Sequence, residues 1–110
     1  MWFQWYQVQE GDTLWDICAW WWGFCDEYRV NRIWLANRRV IGEDPGQIYP
    51  GQWLRLPYWE VNYPIVPGDT LWQLAEWLYG DGNAYTRIVH RNPWITDPAN
   101  IQAGWWIWLP

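Results

Sequence analysis

The first candidates for functional residues lie in a five-residue motif that occurs twice. Gly-Asp-Thr-Leu-Trp fills residues 11–15 and again residues 68–72. Each copy offers a single carboxylate, whereas glycoside hydrolysis needs two acids across one sugar bond. Because Asp12 and Asp69 follow a glycine just before a helical pattern, we interpret them as turn residues. The chain contains no serine and its lone His90 has no nucleophile partner, so the sequence predicts no catalytic site.

The two cysteines both follow the first motif. They are Cys18 and Cys25, and the matching positions after the second motif are Ala75 and Gly82. A disulfide between them would close a short loop and add about 2.5 kcal/mol of stability by a chain-entropy estimate. It would also favour an oxidising compartment, and two buried free thiols are the alternative. Two cysteines and the distant His90 lack the ligand number of a metal site, so we expect no metal and no cofactor.

Each motif is the centre of a longer frame, and the two frames agree in residue order and polarity. The spacing differs only by two short insertions in the first frame. Such self-similarity indicates a duplicated small module. We predict a first repeat over residues 1–57, a short linker over 58–61 and a second repeat over 62–110. Outside the motif, the matched positions are Tyr6, Val8, Asn37, Asp44, Pro45, Ile48, Gly51, Leu54, Leu56 and Pro57, and Tyr63, Ile65, Asn92, Asp97, Pro98, Ile101, Gly104, Ile107, Leu109 and Pro110.

Composition limits the partners. A repeat of this size buries only about 60% of its unfolded surface, so it needs dense packing, which the 15 tryptophans can supply. The net charge of −5 argues against a nucleic-acid partner. No apolar run is long enough to span a bilayer, so we expect no membrane insertion. No signal-peptide pattern follows Met1, so the chain as written would be cytosolic, mature, or exported by a route that leaves no such mark.

Each repeat reads as strand, helix, helix, strand. Alternating residues predict opening strands, and Thr13 and Thr70 stand at capping-box spacing before the first helix. Gly23 and Gly80 are placed to end that helix in a left-handed conformation. The predicted elements are opening strands at 5–9 and 62–66, second helices at 28–36 and 84–91, and closing strands through Leu54 and Leu56 and through Ile107 and Leu109.

The repeated frame resembles the LysM (lysin motif) module, as two tandem copies that cover essentially the whole chain. The resemblance rests on Tyr-x-Val/Ile-x-x-Gly-Asp-Thr-Leu-Trp, the asparagine after the second helix, Asp-Pro, Ile, Gly and the closing apolar-x-Leu-Pro. It implies an α+β fold of two tandem βααβ modules. Each module would have a two-stranded antiparallel sheet with two helices packed on one face.

The resemblance also implies non-catalytic binding of glycans that contain N-acetylglucosamine, such as peptidoglycan or chitin. The family's groove lies between the loop after the first strand and the loop after the second helix. Backbone amides in these loops would pair with an N-acetyl group, and an amide left unpaired costs about 1–3 kcal/mol. Ile41 or Ile95 would cover the methyl. The implied glycan-binding residues are Gly11, Asp12, Thr13, Leu14, Asn37, Val40, Ile41, Gly68, Asp69, Thr70, Leu71, Asn92, Pro93, Trp94 and Ile95.

The first repeat departs from the family pattern on one wall of this groove. The segment between Asn37 and Asp44 is two residues longer than its counterpart and brings Arg38 and Arg39 to the wall. The first repeat therefore binds differently or does not bind. The second repeat keeps Asn-Pro-x-Ile after its second helix, so its site is the better candidate.

The tryptophans fall into two groups. Helical spacing predicts that Trp15, Trp21, Trp34 and Trp72 face the core. A second group, on the sheet faces opposite the helices, would exceed the apolar patch that an ordinary monomer exposes. These rings would stack on sugars, pack the repeats together, or join neighbouring chains into a homo-oligomer or filament. The predicted self-association residues are Trp5, Trp53, Trp106 and Trp108.

The sequence thus supports two functions. The first is glycan binding by tandem modules, outside the cell or at its surface. The alternative is a self-assembling structural subunit of an extracellular filament or particle, which reuses the fold through its tryptophan-rich surfaces.

Overall fold

A computed structural model describes all 110 residues and divides them into two compact units, Met1–Trp59 and Glu60–Pro110. We call these units repeat 1 and repeat 2. Each contains a two-stranded antiparallel sheet and helices, which confirms the predicted α+β fold. Repeat 1 consists of β1 (Phe3–Gln7), α1 (Leu14–Trp22), α2 (Glu27–Ala36), α3 (Arg38–Ile41) and β2 (Trp53–Pro57). Repeat 2 consists of β3 (Val61–Pro64), α4 (Leu71–Tyr79), a 3₁₀ turn (Gly82–Ala84), α5 (Tyr85–Arg91) and β4 (Trp106–Leu109).

Strand alternation separates a core face from an outer face in both sheets. In repeat 1, Tyr6 pairs with Leu54, and in repeat 2, Tyr63 pairs with Ile107. Successive side chains of a strand point to opposite faces, so the apolar residues of each closing strand point under the helices. The buried side chains include Val8, Leu14, Ile17, Ile33, Leu35, Leu54 and Leu56 in repeat 1, and Ile65, Leu71, Leu74, Leu78, Ile88, Ile107 and Leu109 in repeat 2.

The ends of the first helices follow the sequence signals. Thr13 and Thr70 are extended N-cap residues, and their hydroxyl oxygens accept hydrogen bonds from backbone N–H groups three residues later. Gly23 and Gly80 end the two helices with positive φ, a region that glycine enters without a Cβ clash. The predicted caps are therefore confirmed at both ends.

Both opening strands begin earlier than predicted. β1 covers Phe3–Gln7 instead of residues 5–9, and β3 covers Val61–Pro64 instead of 62–66. Beyond each strand, Val8 and Ile65 still exchange hydrogen bonds with a tight turn before the closing strand. The chain bends there towards the Gly-Asp turn, so the regular ladder ends two residues before the alternating pattern does.

The prediction that Trp15 and Trp72 belong to the core is wrong. Trp15 keeps 52% of its surface exposed and Trp72 keeps 49%. Each follows the buried leucine that begins the helix, and one step along a helix turns a side chain about 100° away from that face. Trp34 is buried as predicted, and Trp21 is half-buried.

A disulfide joins Cys18 of α1 to Cys25 in the turn before α2, as predicted, with their Cα atoms 5.5 Å apart. Trp21 and Trp22 lie between the two cysteines and hydrogen-bond to the chain at the end of β2. The indole Nε1 of Trp21 donates to the backbone oxygen of Pro57 at 2.7 Å, and that of Trp22 donates to the oxygen of Tyr58 at 3.2 Å. The disulfide therefore closes the loop whose tryptophans anchor the last residue of β2 and the residue that follows it.

The two extra residues after α2 are accommodated in a short helix of their own. α3 places Arg38 over the ring of Trp34, with 4.6 Å from the guanidinium carbon to the ring centroid. Trp34 in turn donates from Nε1 to the oxygen of Gly42 at 2.8 Å. The wall that the sequence predicts to be longer in repeat 1 is thus a helical turn fastened to a core tryptophan.

Candidate functional site

The Gly-Asp turn of repeat 2 is built by its own hydrogen bonds. Gly68 has φ of +91°, and the carboxylate of Asp69 accepts from the hydroxyl of Tyr63 at 2.5 Å and from the N–H of Val66 at 3.0 Å. Asp69 thereby ties the end of β3 to the start of α4. This supports the interpretation of the aspartate as a turn residue rather than as a catalytic acid.

Repeat 1 has the same turn. The carboxylate of Asp12 accepts from the hydroxyl of Tyr6 at 2.6 Å and from the N–H of Gln9 at 2.8 Å. The hydrogen bond to the Asp12 carboxylate, together with burial and the repulsion of a second negative charge, raises the pKa of Tyr6 to about 12. The phenol is therefore neutral and acts as a donor at physiological pH.

The side chain of the asparagine after the second helix also forms its hydrogen bonds within the protein. Asn92 is buried; its Nδ2 donates to the oxygens of Ile88 and Trp108 at 2.8 and 2.7 Å, and its Oδ1 accepts from the N–H of Trp108 at 2.8 Å. Asn37 makes the corresponding three bonds to Ile33 and Arg55. Both asparagines that were predicted as site residues thus join the end of the second helix to the closing strand. In this way they fix the position of the loop that follows that helix.

A cavity of about 390 Å³ opens beside the Gly-Asp-Thr-Leu-Trp turn of repeat 2. This volume lies at the low end of the range for small-molecule sites. One side is formed by the turn and the start of α4, one by the start of α5, and one by the loop before β4. The lining residues are Asp69, Thr70, Leu71, Trp72, Tyr85, Pro98, Ala99 and Ile101.

The cavity brings together only part of the predicted repeat 2 site. Asp69, Thr70 and Leu71 line it, but the predicted opposite wall does not. Of that wall, Pro93 and Trp94 are exposed, and Ile95 is buried like Ile41 of repeat 1. Trp94 makes an edge-to-face contact with Trp105, with 5.2 Å between ring centroids.

Sequence reasoning missed five of the lining residues. Pro98 and Ile101 belong to the repeated frame, and their recurrence at Pro45 and Ile48 was the available signal for a second wall. Trp72 was assigned to the core, and nothing in the sequence marked Tyr85 or Ala99 as neighbours of the turn. The missed residues are Trp72, Tyr85, Pro98, Ala99 and Ile101.

Two polar residues at this cavity, Asp69 and Thr70, make hydrogen bonds that hold the turn and the start of α4. The hydroxyl of Thr70 accepts from the N–H of Gln73 at 3.1 Å, and the Asp69 carboxylate holds the turn. No group of three or more His, Cys, Asp or Glu side chains could hold a metal ion. The other lining residues are aromatic or aliphatic, which suits binding through apolar contact.

No helix of the chain has both the length and the apolar character needed to cross a bilayer.

Comparison with known proteins identifies the family. The profile of the LysM domain matches residues 6–57 and 63–110. Two esterases of Mycobacterium tuberculosis strains are each 35% identical over 99 residues, which cover 90% of this chain and 20% of theirs. The Bacillus subtilis protein YqbP is 35% identical over 60 residues, covering 47% of this chain and 26% of YqbP.

Among solved structures, the spore cortex-lytic enzyme SleL of Bacillus megaterium is 25% identical, with a TM-score of 0.39, and the match covers 99% of this chain and 23% of SleL. The chain thus spans about a fifth of the length of the esterases that it matches. The predicted resemblance is confirmed by the two matched ranges. The chain belongs to the LysM domain family, as two tandem copies of a non-catalytic, carbohydrate-binding type of domain.

Proposed function

We propose that this chain binds glycans containing N-acetylglucosamine, such as peptidoglycan or chitin, without altering them chemically. The observation that carries the proposal is the cavity of about 390 Å³ beside the second Gly-Asp-Thr-Leu-Trp turn. It adjoins the loop that the family resemblance implies for glycan contact, and its volume suits a sugar unit.

The chemistry of the lining supports a sugar ligand. A pyranose presents C–H groups on its ring faces, which match the apolar surface of Trp72, Pro98 and Ile101. An N-acetyl group adds one amide donor, one acceptor and a methyl. The Asp69 carboxylate holds the turn, and Thr70 Oγ1 already accepts a hydrogen bond from the N–H of Gln73. The N-acetyl amide would therefore pair with backbone groups of the two loops and with the hydroxyl donors of Thr70 and Tyr85. A ligand that left such groups unpaired would lose about 1–3 kcal/mol for each.

Repeat 2 is the better candidate for this binding. In repeat 1 the loop after α2 folds into α3, which packs Arg38 on Trp34. In repeat 2 the shorter loop reaches Pro98 and Ile101 at the cavity without an added helix. We therefore assign glycan binding first to repeat 2, and expect repeat 1 to bind more weakly or not at all.

The relatives fit a binding role for the matched part. The esterases share with this chain a stretch that amounts to 20% of their length. We infer that the LysM repeats act as a targeting module and contribute no catalytic group. A glycan partner of this class and the disulfide of repeat 1 both favour a place outside the cell or at its surface.

Isothermal titration calorimetry with chitotetraose tests the proposal. Ala99→Arg would place a long side chain at the cavity, and Ala103→Arg is the matched control because Ala103 is exposed in the same loop but does not line it. We expect wild type and Ala103→Arg to bind equally and Ala99→Arg to lose most of its affinity. Absence of binding by the wild type to both chitotetraose and a peptidoglycan disaccharide-peptide would overturn the proposal.

The outer sheet faces support a second candidate, self-assembly. Trp5 and Trp53 keep 46% and 54% of their surfaces exposed on one sheet, and Trp106 keeps 49% on the other. Trp108 is half-buried, under the guanidinium of Arg91 at 5.3 Å. Two-stranded sheets also leave strand edges open to pairing with another chain.

Sedimentation velocity separates the two functions. Assembly predicts a large species that disappears when Trp106 and Trp108 become Gln and that is indifferent to chitotetraose. A monomer at all concentrations up to the millimolar range, with or without the sugar, would remove self-assembly from consideration and leave glycan binding in place.

A further inference from the structure

We propose that Trp72 is the stacking surface of the repeat 2 cavity, which takes the face of a pyranose ring, and that Gly82 positions it. This inference rests on the proposed glycan binding and names the side chain that selects for a sugar ring. Neither residue belongs to the set that the family resemblance implied.

The contact between Gly82 and Trp72 is unusually close. A Cβ added at Gly82 would lie 2.1 Å from Cε2, 2.4 Å from Cδ2 and 2.4 Å from Nε1 of the Trp72 indole. These atoms span the fusion of the two rings and the pyrrole nitrogen, so the indole rests against the glycine backbone. Any larger residue at position 82 would have to displace the ring.

The backbone conformation at position 82 does not require a glycine. Seven other glycines have positive φ, whereas Gly82 is absent from that group and begins a 3₁₀ turn. An alanine could adopt this backbone conformation, since only positive φ excludes ordinary side chains. Gly82 is buried. Its lack of a side chain is therefore required by the space that the Trp72 ring occupies.

One part of the indole is thus held and another part is open. Trp72 keeps 49% of its surface exposed although Gly82 covers part of it, and it lines the cavity with Tyr85. A ring that is fixed on one side and accessible on the other loses little conformational entropy when a ligand stacks on it. A flat C–H surface, such as a pyranose face, is the shape that covers such a ring most completely.

Repeat 1 does not reproduce this arrangement in sequence. Trp15 corresponds to Trp72, but the residue at the same distance from its motif as Gly82 is Cys25, whose sulfur is bonded to Cys18. A side chain therefore stands where repeat 2 has none. The held indole is a feature of repeat 2, which agrees with the assignment of glycan binding to that repeat.

A double-mutant cycle tests the proposal with calorimetric affinities for chitotetraose. We expect Trp72→Ala to weaken binding about tenfold, because the substitution removes roughly 60 Å² of apolar contact with the sugar. Gly82→Ala should weaken binding in the same direction because it displaces the ring. In the Trp72→Ala background, Gly82→Ala should have no further effect, because contacting residues that act as a unit are not additive.

Two controls complete the experiment. Trp72→Phe keeps an aromatic face and should bind within about threefold of the wild type. Trp106→Ala removes an equally exposed tryptophan from the same repeat, outside the cavity, and should bind like the wild type. Amide spectra establish that each variant is folded. If Gly82→Ala alone unfolds repeat 2, Trp72→Ala and Trp72→Phe still test the stacking, and the contact predicts that Gly82→Ala folds again in the Trp72→Ala background.

The outcomes separate this inference from the function on which it rests. If the wild type binds chitotetraose and Trp72→Ala binds equally well, Trp72 is not the stacking surface, while glycan binding stands. Additive losses from Trp72→Ala and Gly82→Ala would overturn the positioning role of Gly82. If the wild type does not bind, both the proposed function and this inference fail.

Discussion

The two repeats share one hydrogen-bonded framework and differ in what surrounds it. In each, a tyrosine donates to the turn aspartate, a threonine caps the first helix, and a buried asparagine ties the second helix to the closing strand. The tyrosine and threonine bonds close local turns, and the asparagine bonds join segments 16 to 18 residues apart in sequence. The residues that recur most regularly in this chain therefore hold the fold, and recurrence alone does not identify the residues that touch a ligand.

The differences lie around that framework. Repeat 1 adds a disulfide and the helical turn α3. Repeat 2 has neither, and it has the cavity with Trp72 resting on Gly82. We infer that the disulfide and α3 stabilise repeat 1 and that repeat 2 is shaped for binding. Substitutions in each repeat can test this difference.

Replacing a buried asparagine should destabilise either repeat more than any other substitution considered below. Asn37→Ala or Asn92→Ala removes three hydrogen bonds and leaves buried backbone groups unpaired, which should cost about 3 kcal/mol of unfolding free energy in the repeat concerned. Amide hydrogen exchange during urea unfolding measures each repeat separately. Because the two asparagines make the same bonds, we expect similar losses of stability in the two repeats. A variant whose amides stay as well protected from exchange as in the wild type would contradict this.

The disulfide should distinguish the repeats. Cys18→Ala with Cys25→Ala should lower the stability of repeat 1 by about 2.5 kcal/mol, because the unfolded chain regains the freedom of the closed loop. Hydrogen exchange in repeat 2 should stay unchanged. Reduction of the wild type with dithiothreitol should reproduce the variant, and an equal loss in both repeats would show that the effect is not local.

Replacing either N-cap threonine should lower stability by the same amount, but only one replacement should change glycan affinity. Thr13→Ala and Thr70→Ala each remove an N-cap acceptor and should cost about 1 kcal/mol of unfolding free energy. Only Thr70 lines the cavity, so only Thr70→Ala should also change the affinity for chitotetraose. Calorimetric titration of both variants checks this, with Thr13→Ser as a control that keeps the hydroxyl. Equal changes in affinity would place binding in both repeats.

The smallest expected effect is a pH dependence in repeat 1. The folded pKa of Tyr6 is about 12, above its ordinary value of 10.0. Because the folded pKa is the higher one, the stabilisation is fully present below pH 10.0 and is lost as pH rises towards about 12. The effect is small because Tyr6 is partly exposed to solvent. Tyr6→Phe should flatten the stability of repeat 1 across this window, and an unchanged slope would contradict the assignment.

Local signals in the sequence predicted most of the fold. Alternation, the cap threonines and the terminal glycines predicted four strands and the main helices, because each depends on residues close in sequence. The wrong placement of Trp15 and Trp72 has a different origin. Helical spacing predicts in which direction a side chain points, but it does not predict how wide the buried face of the helix is. The rings of Trp15 and Trp72 lie just outside that buried face.

The site was less accessible to such reasoning. The turn at Asp69 was predicted from its motif, but the cavity also needs Tyr85 and Ala99, which lie on other elements. Their approach to Trp72 depends on packing across the repeat. The requirement for glycine at position 82 depends on a contact between residues ten positions apart, and no local pattern expresses that contact.

Heteronuclear NMR of the ¹⁵N-labelled chain, titrated with chitotetraose, can show whether repeat 2 binds the glycan at this cavity. We expect saturable chemical-shift changes at residues 69–72 and 98–101 and at the Trp72 indole N–H, with smaller or no changes at residues 12–15 of repeat 1. Shifts confined to the outer-face rings of Trp5, Trp53 and Trp106, or none at residues 69–72, would contradict it.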